Sequence, residues 1–223
     1  MLEHNNYSEL TTTIYARVCD ALRSAILSGD FAPGQRLKMA DLTSRFGVSP
    51  TAIREALQQL QGEGLITIFP HRGASVRSVD MRFVGNIYDL RFAIENMLVR
   101  KASNIIDQKI IYKLSKAQDK YDKLAKHLDI SKLLQANQML HNIHNQVADN
   151  EEALFALNRT NTLLRALRMR YGFGKNRIAE ICIEHHELIA AFESHDPEAA
   201  AAVHARHFEN AKSDLLDLME ASS

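Results

Sequence analysis

Val48-Ser49-Pro50-Thr51-Ala52-Ile53-Arg54-Glu55-Ala56-Leu57 opens a helix directly behind a shorter helical segment, Lys38 to Phe46, and a single Gly47. Two short helices joined by a tight glycine turn form the pattern of a helix-turn-helix. In that motif the second helix enters the DNA major groove and its first residues meet base edges. Here those residues are Ser49, Pro50, Thr51, Ala52 and Arg54. The small ones allow close backbone approach, and Arg54 is long enough to reach a phosphate or a guanine.

Working outward, Ile14, Val18, Leu22 and Ile26 recur every four residues, so an amphipathic helix precedes the motif, over about Thr12 to Ser28. Gly29 ends it, and Phe31-Ala32-Pro33-Gly34 makes a turn. Beyond Gly64, Leu65 to Phe69 reads as a short strand. Pro70-His71-Arg72-Gly73 is a turn, and Ala74 to Val79 alternates like a second strand. Three helices plus a β-hairpin make a winged helix-turn-helix, assigned to residues 1–79. After Asp80 glycine becomes scarce, and periodicity gives long helices near 81–104, 107–126, 129–148, 151–172, 176–194 and 196–220. Asp196-Pro197-Glu198 is a helix start, with aspartate as cap and proline at the first helical position. Residues 80–223 are therefore an all-α bundle of about six helices, and the fold class is mostly α.

Composition narrows the function. The 223 residues are 46% apolar and 24% charged with a formal net charge of zero, so no global basicity points to nucleic acid. Between Gly34 and Arg77, however, six cations face three anions. Two distant cysteines, Cys19 and Cys182, exclude a disulfide scaffold. No apolar run approaches the ~20 residues of a membrane span, and no basic stretch followed by an apolar one opens the chain. A reducing cytoplasm is the expected location.

Leu22-Arg23-Ser24-Ala25-Ile26-Leu27-Ser28-Gly29, Pro33-Gly34-Gln35-Arg36-Leu37, Val48-Ser49, Ile53-Arg54-Glu55-Ala56-Leu57, Leu60, Glu63-Gly64-Leu65 and His71-Arg72-Gly73-Ala74-Ser75-Val76 resemble the DNA-binding domain of GntR-family bacterial transcription regulators. The remainder is similar to the FadR-like branch with an FCD ligand-binding domain. Leu90-Arg91 with Ile94-Glu95, Leu140-His141 followed by Asn150, Glu184-His185, and Asp196 leading to His207 carry that likeness. The resemblance implies a homodimer on a near-palindromic double-stranded operator. It also implies an effector pocket inside the bundle, often with a divalent metal and often for a small organic acid. On this reading the chain is a DNA-binding regulator, a repressor, and not an enzyme.

The sequence departs from the family at two places. Pro50 stands where the family has arginine after the residue that opens the recognition helix; proline suits a first helical turn but cannot hydrogen-bond a base. Asn137 stands where the family's metal site has an aspartate, so one negative charge on the metal is missing and a weaker site is expected.

The candidate metal ligands are Asn137, His141, His185 and His207. Asn137 and His141 are four apart on one helix face. His185 lies in the apolar stripe of Ile181, Ile189 and Phe192, and His207 between Val203 and Ala211. Three imidazoles suit zinc or nickel and leave coordination positions for water or effector. The bland alternative is three polar residues satisfied within a core. Spacing alone leaves the 185/186 and 204/207 pairs ambiguous, and the resemblance selects His185 and His207. The remaining His144, His186, His195 and His204 are assigned to the surface or to positions behind the ligands. A histidine must be neutral to ligate, so metal affinity is expected to fall as pH drops through about 6.5.

Arg91 has two readings: an ordinary i,i+4 ion pair with Glu95, or a pocket cation that grips an effector carboxylate. For DNA, Ser49, Thr51 and Arg54 front the recognition helix. His71, Arg72 and Gly73 sit at the hairpin tip, placed to enter a minor groove. Lys38 and Arg45 are assigned to phosphate contacts. Two rival functions remain at this level: a three-histidine metalloenzyme using Glu184 as base, and a constitutive DNA-binding dimer without metal or effector.

Overall fold

The structure is a computed structural model that describes residues 14–69 and 73–222 and divides into two compact units, Met1–Val79 and Asp80–Ser223. In the first unit, helix α1 (Ile14–Ser28) is followed by β1 (Arg36–Leu37), α2 (Met39–Phe46) and α3 (Pro50–Gly62). Strands β2 (Ile66–Phe69) and β3 (Gly73–Val76) complete it. Gly47 takes the left-handed conformation (φ 64) that the tight turn between α2 and α3 demands. Ser49 caps α3 by accepting from Ala52 N, and Pro50 occupies the first turn, where no N–H is needed.

The sheet is antiparallel with order β1-β3-β2. The two-residue β1, paired through Arg36↔Ser75 and Leu37↔Ala74, joins the hairpin that the sequence indicates. Its alternation is too short to register as a strand. Leu22, Leu42, Ile53, Ala56 and Leu60 are buried. Arg23 grips Glu63 with Nε–Oε2 2.7 Å and Nη2–Oε1 2.8 Å, a buried bidentate pair that ties α1 to the end of α3.

The second unit contains α4 (Met81–Ile105), α5 (Gln108–Ala125), α6 (Ile130–Val147), α7 (Glu151–Tyr171), α8 (Arg177–Glu193) and α9 (Pro197–Glu220). All six lie within about two residues of the spans read from periodicity. Five start on an Asp or Asn whose side chain accepts a first-turn N–H: Asp80, Asp107, Asp129, Asn150 and Asp196. One apolar cluster gathers Val99, Leu114, Leu140, Leu188 and Phe192 from four of these helices. Beside it the interior is polar, and that polar interior is the site. No helix of the described residues is long and apolar enough to cross a membrane.

Candidate functional site

Helices α6, α8 and α9 each turn an apolar stripe inward, and each stripe carries a histidine. His141, His185 and His207 are buried, and one ligand-capable atom from each lies within 4.8 Å of the others. The three rings pack at centroid distances of 5.1–5.6 Å. Two of them are held from behind. His185 Nδ1 is 2.8 Å from Gln118 Oε1 on α5, and His207 Nδ1 is 2.7 Å from Glu184 Oε2 on α8. Each outer partner fixes the tautomer and turns Nε2 away from itself, the arrangement that orients metal-binding imidazoles. His185 Nε2, both ring nitrogens of His141 and Asn137 Oδ1 are buried without a hydrogen-bond partner. Orphaned lone pairs on converging rings are what a cation would satisfy, so this donor set fits a divalent metal.

Glu184 is itself clamped. Arg177 donates to both its oxygens at 2.9 and 2.8 Å, and Asn210 Nδ2 adds a bond of 2.7 Å. Burial pushes its carboxyl up, but the His207, Arg177 and Asn210 hydrogen bonds outweigh that and hold it down at about 2. Burial lowers His185, and lowers His207 to about 4 against the pull of Glu184. His185 and His207 thus stay neutral well below the ordinary imidazole range. Desolvation disfavours the imidazolium of both, so a cation held by these two rings would be displaced by protons only below the pH of about 6.5 expected from sequence.

Two histidines assigned to the surface or to positions behind the ligands, His144 and His204, are fully buried beside the triad. His144 lies three residues after His141 and His204 three before His207, so each shares the inward face of its helix. The other two are placed differently: His186 is exposed, and His195 bonds the Ser103 carbonyl at 3.1 Å.

A cavity of about 280 Å³ opens beside the cluster, lined in part by Asn137, His141, His207, Arg91, Arg165 and Arg168. That is near the lower end of the roughly 300–1,000 Å³ of small-ligand pockets. Arg91 reaches its wall, but its terminal nitrogens are engaged. Nη2 bonds Glu95 Oε1 at 2.5 Å, while Nη1 bonds Thr160 Oγ1, Asn161 Oδ1 and the Leu157 carbonyl. The i,i+4 pair with Glu95 is therefore present and buried rather than exposed. Arg168 is likewise engaged, by Asp214 and the Ala211 carbonyl. Arg165 is exposed and makes one long bond, 3.3 Å, to Ser131. It is the freer cation, and the sequence reading passed it over.

In the first unit, α3 buries Ile53, Ala56, Leu57 and Leu60, which leaves Ser49, Thr51 and Arg54 exposed at its start. Lys38 and Gly73 are exposed as well. Arg45 is exposed but partly committed. It pairs with Asp30 at 3.2 Å and lies over the Phe31 ring at 4.7 Å. A phosphate would compete with Asp30 for it. His71 and Arg72 lie outside the described residues.

Two family models match the chain: bacterial regulatory proteins, gntR family, over residues 14–76, and the FCD domain over residues 86–210. The chain belongs to the GntR family, with an FCD domain. This GntR chain is similar to the HTH-type transcriptional regulator YdhC of Bacillus subtilis, at 26% identity over 94% of each chain. It is also similar to the HTH-type transcriptional repressor RspR of Escherichia coli, at 25% identity over 96% of this chain and 93% of the relative. In fold it resembles E. coli McbR/YncC, with a TM-score of 0.65 and 20% identity over 96% of this chain and all of that one. The GntR chain is a DNA-binding transcription regulator, and its relatives are regulators rather than enzymes. The enzyme reading of Glu184 falls with that. Its carboxylate is spent on Arg177, His207 and Asn210, as a support for the histidine and not as a base.

Proposed function

We propose that this regulator is a homodimer that represses transcription from a near-palindromic operator and responds to a small organic acid bound in the FCD bundle through a divalent metal. Asn137, His141, His185 and His207 would hold the metal, zinc or nickel. The observation that carries this is the convergence of three buried imidazoles, two of them oriented from behind by Gln118 and Glu184. A bound divalent cation supplies open coordination positions for a carboxylate. Arg91 then forms the cavity wall behind the acid, and Arg165 offers a guanidinium at its edge. Repression is the role named for the similar RspR.

Ser49, Thr51 and Arg54 read the operator, with Lys38 and Arg45 on phosphates and His71, Arg72 and Gly73 at the wing. The protein acts in the cytoplasm. An effector shifts operator affinity only through its differential affinity for two arrangements of the bundle.

The test is elemental analysis and zinc calorimetry on wild type, His185→Ala and Asn137→Asp, with operator titration at each metal loading. Loss of one tightly bound equivalent in His185→Ala, and tighter binding in Asn137→Asp, support the reading. A wild type that binds no divalent metal at micromolar levels leaves a constitutive DNA-binding dimer and overturns it.

A further inference from the structure

The histidine cluster continues past the three rings assigned above. Glu95 on α4 is fully buried; Arg91 takes its Oε1, and its Oε2 has no hydrogen-bond partner. That oxygen faces His141 Nδ1 at 3.6 Å and His204 Nε2 at 3.9 Å. One ligand atom from each of Glu95, His141 and His204 lies within 4.8 Å of the others. Neither ring nitrogen of the fully buried His204 has a partner.

The same bundle supplies an internal standard for what a hydrogen bond to a buried imidazole looks like here. Gln118 sits at 2.8 Å from His185 and Glu184 at 2.7 Å from His207. Glu95 stands about 1 Å further back from both its histidines, too far to be bonded to either. Ligand atoms ~2.0–2.1 Å from a shared cation at tetrahedral to wider angles lie ~3.3–3.9 Å apart. The Glu95 spacings fall in that range.

We propose that Glu95, His141 and His204 hold a second divalent cation, next to the one assigned to Asn137, His141, His185 and His207, with the His141 ring shared between the two.

His141 can serve both because an imidazole has two nitrogens. Nδ1 is the nitrogen 3.6 Å from Glu95, and in this proposal Nε2 binds the cation shared with His185 and His207. Sharing requires the ring to give up its remaining N–H proton to solvent, and the resulting negative charge strengthens both sites. The charge balance of the two sites is similar: each has one buried carboxylate, Glu95 or Glu184, paired with one buried arginine, Arg91 or Arg177. His144 is the nearest further donor. It is fully buried with both ring nitrogens unpartnered, and its ring is 5.2 Å from that of His141. Two nitrogens and a carboxylate oxygen suit zinc, cobalt or nickel rather than magnesium or calcium.

The proposal rests on the first site only through His141, so the two can fail separately. The measurement is zinc per chain after loading and dialysis, with a cobalt(II) absorbance titration that reports tetrahedral coordination. About two equivalents are expected for wild type, about one for His204→Leu and about one for His185→Ala. A wild type that takes up one equivalent, retained by His204→Leu and lost by His185→Ala, overturns the second site and leaves the first standing. A wild type that takes up none overturns both. Two equivalents retained by His204→Leu also overturn it. If His204→Leu does not fold by circular dichroism, wild type and His185→Ala decide: one cation surviving in His185→Ala supports the second site, and none refutes it.

Discussion

Replacing Glu184 by glutamine keeps the side chain's shape and removes its charge. In the native bundle each carboxylate oxygen accepts two hydrogen bonds. Oε1 takes Arg177 Nη1 and Asn210 Nδ2, and Oε2 takes Arg177 Nη2 and His207 Nδ1. Whichever way the amide turns, its NH₂ meets an Arg177 N–H that has lost its acceptor. Arg177 then keeps one bond to the remaining amide oxygen, with Glu180 at 3.3 Å on a half-exposed side chain and the His207 carbonyl at 3.2 Å, and loses the charge of its buried partner. Breaking one side of a buried ion pair costs about 3–5 kcal/mol, a large share of the ~5–15 kcal/mol that holds a domain folded. For a unit of this size the midpoint falls by on the order of 10 °C. The assay is circular dichroism melting of metal-free protein in EDTA, with Glu180→Gln as a control expected to change stability by less than ~1 kcal/mol. Zinc affinity falls as well, by roughly 10–100-fold, because His207 loses its orienting partner. A metal-free Glu184→Gln protein melting within about 2 °C of wild type refutes the energetic argument, since that is under ~1 kcal/mol.

Other outcomes follow from the same geometry. Arg54→Ala weakens operator binding by about 1–3 kcal/mol if Arg54 meets a base, or reduces the salt slope by about one if it meets a phosphate; unchanged affinity at every salt concentration sinks it. Metal-free protein loses stability as pH falls from 6.5 towards about 4, because burial lowers His144, His185, His204 and His207 and the unfolded chain binds more protons in that window. Each such group contributes at most ~1.4 kcal/mol per pH unit, and a urea midpoint flat across the window refutes the assignment. Asn137→Asp tightens zinc by placing one negative charge against the metal, and calorimetry that finds equal or weaker binding contradicts its place as a ligand. Sedimentation that gives only a monomer of 25.2 kDa at micromolar concentration, binding one-to-one to the operator, removes the homodimer.

Much of the fold is legible because its signals are local. Asp80, Asp107, Asp129, Asn150 and Asp196 announce helix starts, and Gly47 fixes the turn between two amphipathic segments. Strand β1 is not legible, because two residues carry no period and their partner lies nearly forty residues away. The three histidines are only half legible. Spacing cannot choose between His185 and His186, and the family likeness makes that choice. What no local pattern reveals is what surrounds the rings. Gln118 and Glu95 look like ordinary polar residues of α5 and α4, and they come beside histidines only because α6, α8 and α9 bring the rings to them. The inward positions of His144 and His204 do have a signal, the one-turn offset from His141 and His207. That offset argues for burial, but a buried histidine is read from sequence as an anomaly rather than as a repeat of the pattern.

A core built this way is not optimised for stability. Each buried polar atom left without a partner costs about 1–3 kcal/mol, and here the orphaned atoms include Glu95 Oε2, Asn137 Oδ1, His185 Nε2 and both nitrogens of His141, His144 and His204. Apolar residues of similar volume would pack the same space without that penalty. The arrangement makes sense if its partners arrive from outside the chain. A ligand that binds the folded bundle alone stabilises it by about 2.7 kcal/mol at one hundred times its dissociation constant. That is enough to offset one or two orphaned groups and to bias helices that differ in how they present them. The polar side of the bundle touches α4, α5, α6, α8 and α9 at once, through Glu95, Gln118, His141, His185 and His207. A cation there acts on most of the bundle together, whereas a ligand held by a single helix would act on one element. A molecule that entered the cavity and met a cation in the cluster would be coupled to the packing of five helices, which the cavity wall alone would not provide.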